Sequence, residues 1–456
     1  MSQEVQIPTP SSRGRIRGLV RSPTLAQGAI LVAAVLVLMV SGVQLHQRNG
    51  TRQDSWRLVT QTTTLQPVNN PVLWLQYGGT PTAADIARAA ATARIVVLNA
   101  YELDALRAIK RLNPRITVLV YKDLASTRSY PGAVDNGQDA SMLPTGVGYV
   151  AATRHPEWFA VDDRGERIQW SGYDRHWQMA VWNASYREAW TADVTEEVKR
   201  NGWDGVLADN ALSTLQYYSP RPLGGGASDA VLSDGVTKLV DQAGQALQAQ
   251  QRLLIPNIGD GRLDPGRFER LSRYGGGFEE QFLHVQAGLD DGHLGDPANG
   301  KGINGSDASS SDWDRQATEV AGTRRALVHT QAVPSDRRSF LYGYASFLIA
   351  GGGTGAFSAT GPDRYDGLVL WPEQRWAVPI TSALPHKTEG VRYRWFPTLF
   401  AAANPSAQVA TVTLPISLAN DYGQELTTLT LPPRTGALLR RPPGPSALDL
   451  RILVKQ

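Results

Sequence analysis

Short apolar runs alternate with helix-compatible stretches from Pro71 onward. The apolar runs are rich in β-branched and aromatic residues and are bounded by turn-forming residues, which is typical of buried strands. Eight such runs occur, at residues 72–77, 95–99, 116–121, 205–209, 253–257, 277–282, 326–330 and 355–358. Because buried strands that alternate with helices form parallel sheets, this pattern over residues 72–385 predicts an α/β fold, a (β/α)8 TIM barrel.

The stretches between these runs have the periodicity of helices. They lie at residues 82–93, 102–112, 186–201, 230–251, 264–273, 312–322 and 335–350. At the first of them, Thr82 followed by Asp85 resembles a capping box. Residues 122–184 are too many for one helix and are rich in aromatic side chains. Such an insertion is expected over the C-terminal face of the barrel, where active sites of this fold are built.

The pattern changes after about Leu384. Apolar and polar residues alternate at residues 393–402, 407–415, 425–431 and 435–440, with turn residues between these segments. Alternation with a period of two predicts a small antiparallel β-domain. We therefore assign residues 72–385 to the barrel, residues 386–443 to a β-sandwich-like domain and residues 444–456 to a tail.

An apolar stretch from Leu25 to Leu45 precedes the barrel. Its length is enough to cross a hydrocarbon core of about 30 Å as a helix. Four arginines precede the stretch, at positions 13, 15, 17 and 21. The positive-inside rule then places residues 1–24 in the cytoplasm and the body outside, joined by a transmembrane helix (25–45) and a linker (46–71). We predict a single-pass protein of a bacterial-type cell membrane, with a cleaved signal peptide as the alternative.

Charge and residue content narrow the classes of function. The chain has 45 Lys and Arg against 42 Asp and Glu, a formal net charge of +3. This excess lies entirely within residues 1–24, which argues against a nucleic-acid partner. With 0 cysteines, the chain has no disulfide, zinc–thiolate site or cysteine nucleophile. The 7 histidines form no His-x-x-x-His pair, and we expect no metal site and no cofactor.

Candidate catalytic residues follow from the predicted barrel, because its active sites use residues at the C-terminal ends of strands. Asp209 ends the fourth apolar run, and Glu279 and Glu280 lie in the sixth. Two carboxyl groups in one cleft are what cleavage of a glycosidic bond requires. Strand alternation sends one of the adjacent glutamates into the barrel and the other toward the helices. Candidate substrate-binding residues are Tyr77, Asn99, Tyr121, Lys122, Trp182, Asn210, Asn257 and His329.

Five segments carry a resemblance to a known family. They are residues 118–122, residues 155–159 together with 163–165, and residues 182–187, 203–210 and 277–282. The segments resemble the glycosyl-hydrolase-like barrel family described as hypothetical glycosyl hydrolase 15, which is distantly similar to endo-α-1,4-polygalactosaminidase. The resemblance implies a catalytic pair made of the carboxylate that ends the fourth strand, Asp209, and the glutamate of a later Glu-x-Phe segment. Matching that segment to residues 280–282 favours Glu280 over Glu279.

These observations predict a membrane-anchored, extracytoplasmic glycoside hydrolase that cleaves a cell-surface or matrix polysaccharide. Asp209 is expected to be the nucleophile or base and Glu280 the general acid, and analogy with barrels that carry an aspartate nucleophile on the fourth strand favours a retaining reaction. One alternative is a catalytically inert barrel that binds glycan or organises envelope partners. Another is a barrel enzyme in which Lys122 forms a Schiff base. The inert barrel does not require Asp209 and Glu280 to face one cleft.

Overall fold

The computed structural model describes most of the chain from Asn70 to Arg441. The described residues are 70–259, 264, 266–280, 282, 310–351, 355–361, 364–376, 386–388, 390–396 and 399–441. The cytoplasmic tail, transmembrane helix and linker predicted for residues 1–71 lie outside the described residues, except for positions 70 and 71, and so does the tail at 444–456. Within the described ranges, no helix combines the length and the apolar character needed to cross a membrane.

Eight parallel strands form a nearly closed barrel. They are β1 (Val72–Gln76), β2 (Ala93–Leu98), β3 (Thr117–Asp123), β4 (Gly205–Asp209), β5 (Leu253–Pro256), β6 (Gly277–Glu279), β7 (Ala326–Gln331) and β8 (Ala356–Thr360). Hydrogen bonding gives the order β6-β7-β8-β1-β2-β3-β4-β5, and bridges Leu254–Gly275 and Asn257–Phe278 connect β5 with β6. Each of the predicted apolar runs overlaps one strand, so the barrel prediction is confirmed.

Helices alternate with these strands. They are α1 (Ala83–Thr92), α2 (Leu103–Leu112), α3 (Ala184–Asn201), α4 (Asp229–Ala249), α5 (Arg267–Leu271), α6 (Ser310–Gly322) and α7 (Arg337–Ala350). The predicted cap at Thr82 is present, because the Asp85 backbone N–H donates to the Thr82 hydroxyl at 3.1 Å. The fifth helix is shorter than the predicted segment 264–273.

Side chains along each barrel strand alternate between two cores. One parity fills the interior of the barrel, and the other packs between the strands and the helices. The interior residues are Leu73, Leu75, Ile95, Val97, Leu119, Tyr121, Leu207, Ile255, Phe278, Leu327 and Ala356. The same alternation continues to the C-terminal end of each strand, where it determines which polar side chains point into the mouth of the barrel.

The insertion between β3 and α3 contacts the C-terminal end of β4. Its first residue after β3, Leu124, donates its backbone N–H to the carbonyl of Asp209 at 3.0 Å. The insertion contains a short helix and two small antiparallel pairs. The helix is Tyr149–Thr153, and the strand pairs are Ser126–Arg128 with His176–Gln178, and Val134–Asp135 with Gln138–Asp139. The insertion therefore lies beside the predicted catalytic residues.

The predicted C-terminal β-domain is an antiparallel sheet of six strands. They are β9 (His386–Thr388), β10 (Val391–Trp395), β11 (Leu399–Asn404), β12 (Ala410–Ala419), β13 (Glu425–Leu431) and β14 (Thr435–Arg440), in the order β9-β10-β11-β14-β12-β13. The single run predicted at 393–402 is wrong, since the chain reverses there between β10 and β11, which pair with each other. One face of the sheet packs on α7, so the domain supports the outer shell of the barrel.

Candidate active site

Two carboxylates share one hydrogen-bond donor at the C-terminal end of the barrel. The Asn257 side-chain nitrogen, after β5, donates to Asp209 Oδ1 at 2.8 Å and to Glu280 Oε2 at 2.7 Å. These two carboxylate oxygens therefore lie at most 5.5 Å apart, the sum of the two distances. Each of the three side chains continues the inward-facing alternation of its strand. The structure thus brings Asp209 and Glu280 into one cleft.

Three tyrosines stack beside the carboxylate pair. The Tyr121 hydroxyl donates to Asp209 Oδ2 at 2.6 Å, and the Tyr365 hydroxyl donates to Glu280 Oε1. The Tyr77 ring lies between theirs, with centroid distances of 4.7 Å to Tyr121 and 4.5 Å to Tyr365. Each carboxylate is therefore held by one outer tyrosine, and the Tyr77 ring lies between the two outer tyrosine rings.

The position of Tyr365 depends on contacts between the loop after β8 and the end of β1. The Gly78 backbone N–H donates to the Tyr365 carbonyl at 2.9 Å, and the Gly367 N–H donates to Gln76 Oε1 at 2.6 Å. A Cβ atom at Gly78 would lie 3.2 Å from the carbonyl carbon and oxygen of Tyr365. Glycine therefore allows the close approach that brings the Tyr365 side chain to Glu280.

Burial raises the pKa of Asp209 to about 7, and the negative charges of Glu280 and Asp123 contribute to the shift. Hydrogen bonds from Tyr121 and Asn257 act in the opposite direction. Near neutral pH, the pair therefore holds one proton between its two carboxyl groups. Asp209 remains partly open to solvent. One protonated and one ionised carboxyl group in an accessible cleft can act as an acid and a nucleophile.

A buried ion pair supports Asp209 from the side of β3. Asp123 accepts hydrogen bonds from Arg128 at 2.9 Å and from the Asn210 side chain at 2.7 Å. Asn210 has a left-handed backbone with φ of 59°, and its N–H donates to Asp209 Oδ1 at 2.8 Å. The Tyr218 hydroxyl donates to the Asn210 side-chain oxygen at 2.8 Å. Asn210 therefore contacts Asp209 through its backbone, while its side chain joins Asp123 to Tyr218.

His329 is completely buried and contacts the backbone next to the pair. Its Nδ1 lies 3.0 Å from the Glu280 carbonyl oxygen, and its Nε2 lies 2.8 Å from the Thr360 hydroxyl. Burial lowers the pKa of His329 to about 4. The imidazole is therefore neutral near pH 7, donates from Nδ1 and accepts at Nε2. Its contacts position the Glu280 backbone.

Four other predicted site residues are not brought to the pair. Lys122 is buried on the outward-facing side of β3, with its ammonium 2.7 Å from Glu197 of α3. Glu279 is buried on the outward parity of β6, and Trp182 packs against the core between strands and helices. The Asn99 side chain donates to the Tyr101 hydroxyl at 2.8 Å.

Two residues of the site were not predicted. Asp123 could have been found, because it continues the inward alternation of β3 two positions after Tyr121. Tyr365 follows the last barrel strand in an irregular loop, where no alternation indicates the direction of a side chain. For metals, the described part of the chain has no cluster of three or more His, Asp or Glu side chains that could hold an ion.

No curated protein matches the chain. A noncanonic maltogenic α-amylase, AmyB from Thermotoga neapolitana, is 12% identical, with a TM-score of 0.46 and coverage of 82% of this chain and 98% of its own. Ega3 of Aspergillus fumigatus, whose structure was determined with galactosamine, is 11% identical, with a TM-score of 0.38 and coverage of 69% and 96%.

One family covers most of the barrel. The family described as hypothetical glycosyl hydrolase family 15 matches residues 110–393, which is more than half of the chain and includes Asp209, Asn257, Glu280 and Tyr365. The resemblance seen in the sequence is thereby confirmed. The chain belongs to hypothetical glycosyl hydrolase family 15.

Proposed function

We propose that this chain is a membrane-anchored, extracytoplasmic glycoside hydrolase that cleaves a polysaccharide with Asp209 and Glu280. The observation that carries the proposal is the Asn257 amide, which donates to both carboxylates. Two like charges held this close in a buried site destabilise each other, so the arrangement is unfavourable for structure alone. An inert glycan-binding barrel would have no need for it.

The spacing of the pair favours a retaining reaction. Carboxyl groups lie about 5–5.5 Å apart in retaining glycosidases and about 6.5–9.5 Å apart in inverting ones. The limit of 5.5 Å between Asp209 Oδ1 and Glu280 Oε2 agrees with the first class. An inverting enzyme would need room for a water molecule between the sugar and its base.

The proposed reaction has two steps. A carboxylate oxygen of Asp209 attacks the anomeric carbon while the bond from that carbon to the leaving oxygen breaks, and Glu280 gives its proton to that oxygen. Water then attacks the anomeric carbon of the glycosyl ester, loses a proton to Glu280 and releases Asp209. For the first step the proton that the pair shares must lie on Glu280. Hydrogen bonds from Tyr121, Asn257 and the Asn210 backbone N–H to the Asp209 carboxylate favour that distribution and make Asp209 the nucleophile.

The assignment is tested on the full-length protein. Reducing ends released from amylose, chitosan and other neutral or amino-sugar polysaccharides identify the substrate, and a matching 4-nitrophenyl glycoside supplies an activated leaving group. Asp209→Asn should abolish both activities. Glu280→Gln should lose polysaccharide cleavage but keep activity on the activated glycoside, where no proton is needed, and azide should accelerate it. Glu279→Gln is the matched control, because its side chain lies on the other face of β6.

Two outcomes would contradict the proposal. Unchanged activity in both Asp209→Asn and Glu280→Gln would remove the pair from the reaction. A wild-type protein that binds polysaccharide without releasing reducing ends from any of them would favour the inert glycan-binding barrel.

The membrane anchor rests on the apolar stretch at 25–45 and the arginines before it. We expect the full-length chain to remain in the membrane fraction after carbonate extraction. Protease added to intact cells with a permeable outer layer should digest the barrel and leave residues 1–24 protected. Recovery of a soluble chain lacking residues 1–45 would indicate a cleaved signal peptide instead.

A further inference from the structure

Aromatic side chains form an arc on the rim of the barrel beside the carboxylate pair. The arc consists of Tyr101 after β2, Tyr130, Tyr173 and His176 in the insertion, and Tyr218 after β4. His176 lies 5.6 Å from Tyr130 and 5.5 Å from Tyr173, measured between ring centroids, and Tyr173 lies 5.8 Å from Tyr218. Burial raises the pKa of Tyr101, and the neighbouring Tyr130 phenol contributes to this shift. The rings thus follow one another along the rim.

A buried floor holds the arc in place. Trp170 is 3% exposed, and Tyr218 stacks on it with a centroid distance of 4.0 Å and an interplanar angle of 13°. The Trp170 indole N–H donates to Gln178 at 2.8 Å, and the Arg128 guanidinium lies 5.8 Å from its ring. Because Trp170 is covered, it cannot itself meet a ligand. Its contacts fix the rings above it before any ligand binds, which lowers the entropy lost on binding.

Two rings of the arc are well exposed to solvent. Tyr101 is 55% exposed and Tyr173 is 47% exposed. Of the four exposed tyrosines in the described part of the chain, three lie on the loops after β2, β3 and β4, and the fourth is Tyr422 of the C-terminal sheet. Exposed aromatic side chains concentrated on one face indicate a binding surface.

The arc is continuous with the cleft. The Tyr218 hydroxyl donates to Asn210, whose backbone N–H donates to Asp209. Burial raises the pKa of the Tyr218 hydroxyl, and the charges of Asp209 and Glu280 raise it further. A ligand that occupies the cleft and extends toward β2–β4 would therefore pass over the arc.

We propose that the arc binds sugar units that flank the cleaved bond, so that the enzyme acts on a polymer rather than on single sugars. This inference rests on the proposed glycosidase function. Aromatic faces suit the apolar C–H faces of pyranose rings, and tyrosine hydroxyls can bond to sugar hydroxyls. Burial and Arg128 lower the pKa of His176, so the arc carries no charge of its own near neutral pH. Binding should therefore depend little on salt concentration.

The test separates binding from cleavage. Retention in gels that contain amylose or chitosan, whichever the wild type hydrolyses faster, is measured in the Asp209→Asn background, where cleavage is absent. Tyr173→Ala should reduce retention, and in the active enzyme it should raise KM for the polymer about tenfold. Activity on the 4-nitrophenyl glycoside should stay within twofold of wild type. Tyr101→Ala is the second arc variant, and Tyr422→Ala is the control for loss of an exposed tyrosine.

The outcomes distinguish failure of this inference from failure of the proposed function. If the wild type hydrolyses a polymer but Tyr173→Ala and Tyr101→Ala keep its retention and KM, the arc does not bind substrate. An equal loss of activity on the polymer and on the aryl glycoside would also overturn it, since the arc would then act on folding or chemistry. Failure of the wild type to hydrolyse any glycan would contradict the proposed function, whereas retention lost only in the arc variants would still support glycan binding.

Discussion

Two adjacent residues of β3, Tyr121 and Lys122, belong to two different buried polar clusters on opposite sides of the strand. Tyr121 points inward and donates to Asp209, which lies beside Glu280, so this cluster contains two like charges. Lys122 points outward and pairs with Glu197, so the second cluster contains opposite charges. In the second cluster burial lowers the pKa of Lys122 and the opposite charge of Glu197 acts against that shift, whereas in the first the like charge of Glu280 adds to the burial that raises the pKa of Asp209. This difference separates a group of residues suited to proton transfer from one suited to holding a helix to a strand.

The largest expected effect is loss of activity without loss of stability in Asp209→Asn. We expect activity on polysaccharide to fall by about a thousandfold or more. The folded-state pKa of about 7 exceeds the unfolded value of about 3.9, so the ionised carboxylate destabilises the fold fully above pH 7 and not at all below pH 3.9. The variant should therefore have a higher Tm than wild type, by more at pH 8 than at pH 5. An equal or lower Tm at pH 8 would contradict the proposed burial of charge.

The opposite result is expected for Lys122→Met. Removing the ammonium leaves Glu197 buried without its cation, which should lower the free energy of unfolding by about 3–5 kcal/mol. Activity per folded molecule should stay near that of wild type, because the side chain faces α3. Urea unfolding measures the first quantity, and the double variant Lys122→Met/Glu197→Leu should recover most of the stability. A specific loss of kcat in the folded single variant would instead support a catalytic lysine.

The pH profile should report the proton that the carboxylates share. We expect kcat/KM to fall about tenfold per pH unit above the pKa of about 7, because the pair then lacks a proton for the leaving oxygen. Tyr365→Phe removes a donor that favours the ionised form of Glu280, so the decline should move to higher pH. The rate at its optimum should fall about tenfold. If the decline of kcat/KM in Tyr365→Phe stays at the same pH as in wild type, Tyr365 does not influence the pKa of the carboxylate pair.

The smallest effect is expected for His329→Gln. Glutamine can still donate to the Glu280 carbonyl, and the native imidazole is already neutral because burial lowers its pKa to about 4. The rate should fall by less than about tenfold, with both limbs of the pH profile unchanged. A shift of either limb would show that His329 carries a proton during the reaction, which would add a third titrating group to the cluster.

The barrel could be predicted because its strands are continuous apolar runs, which mark burial on both faces. Asp209 and Glu280 were found for the same reason, since Asp209 ends one such run and Glu280 lies within another, both at inward-facing positions. The choice between Glu279 and Glu280 also agrees with alternation, as Phe278 fills the barrel interior. Lys122 was wrongly predicted to bind substrate together with Tyr121, because the prediction considered only that it lies near the end of a strand. Its position on β3 faces outward, whereas that of Tyr121 faces into the barrel.

Other features depend on contacts between distant parts of the chain. Tyr365 lies in an irregular loop whose position is set by backbone hydrogen bonds to the end of β1. Trp170 lies in the aromatic-rich insertion, and Tyr218, which is distant in sequence, covers it. Local pattern carries no information on such packing, so the aromatic arc became visible only in three dimensions.

The hydrogen bond between Gly78 and Tyr365 joins the first and last segments of the barrel at the reactive centre. During synthesis, a ribosome has made nearly the whole barrel before the phenol that holds Glu280 exists. A nascent or truncated chain that stops after β7 therefore lacks both the eighth strand and this tyrosine. The complete carboxylate cluster is therefore assembled only when the last strand closes the barrel.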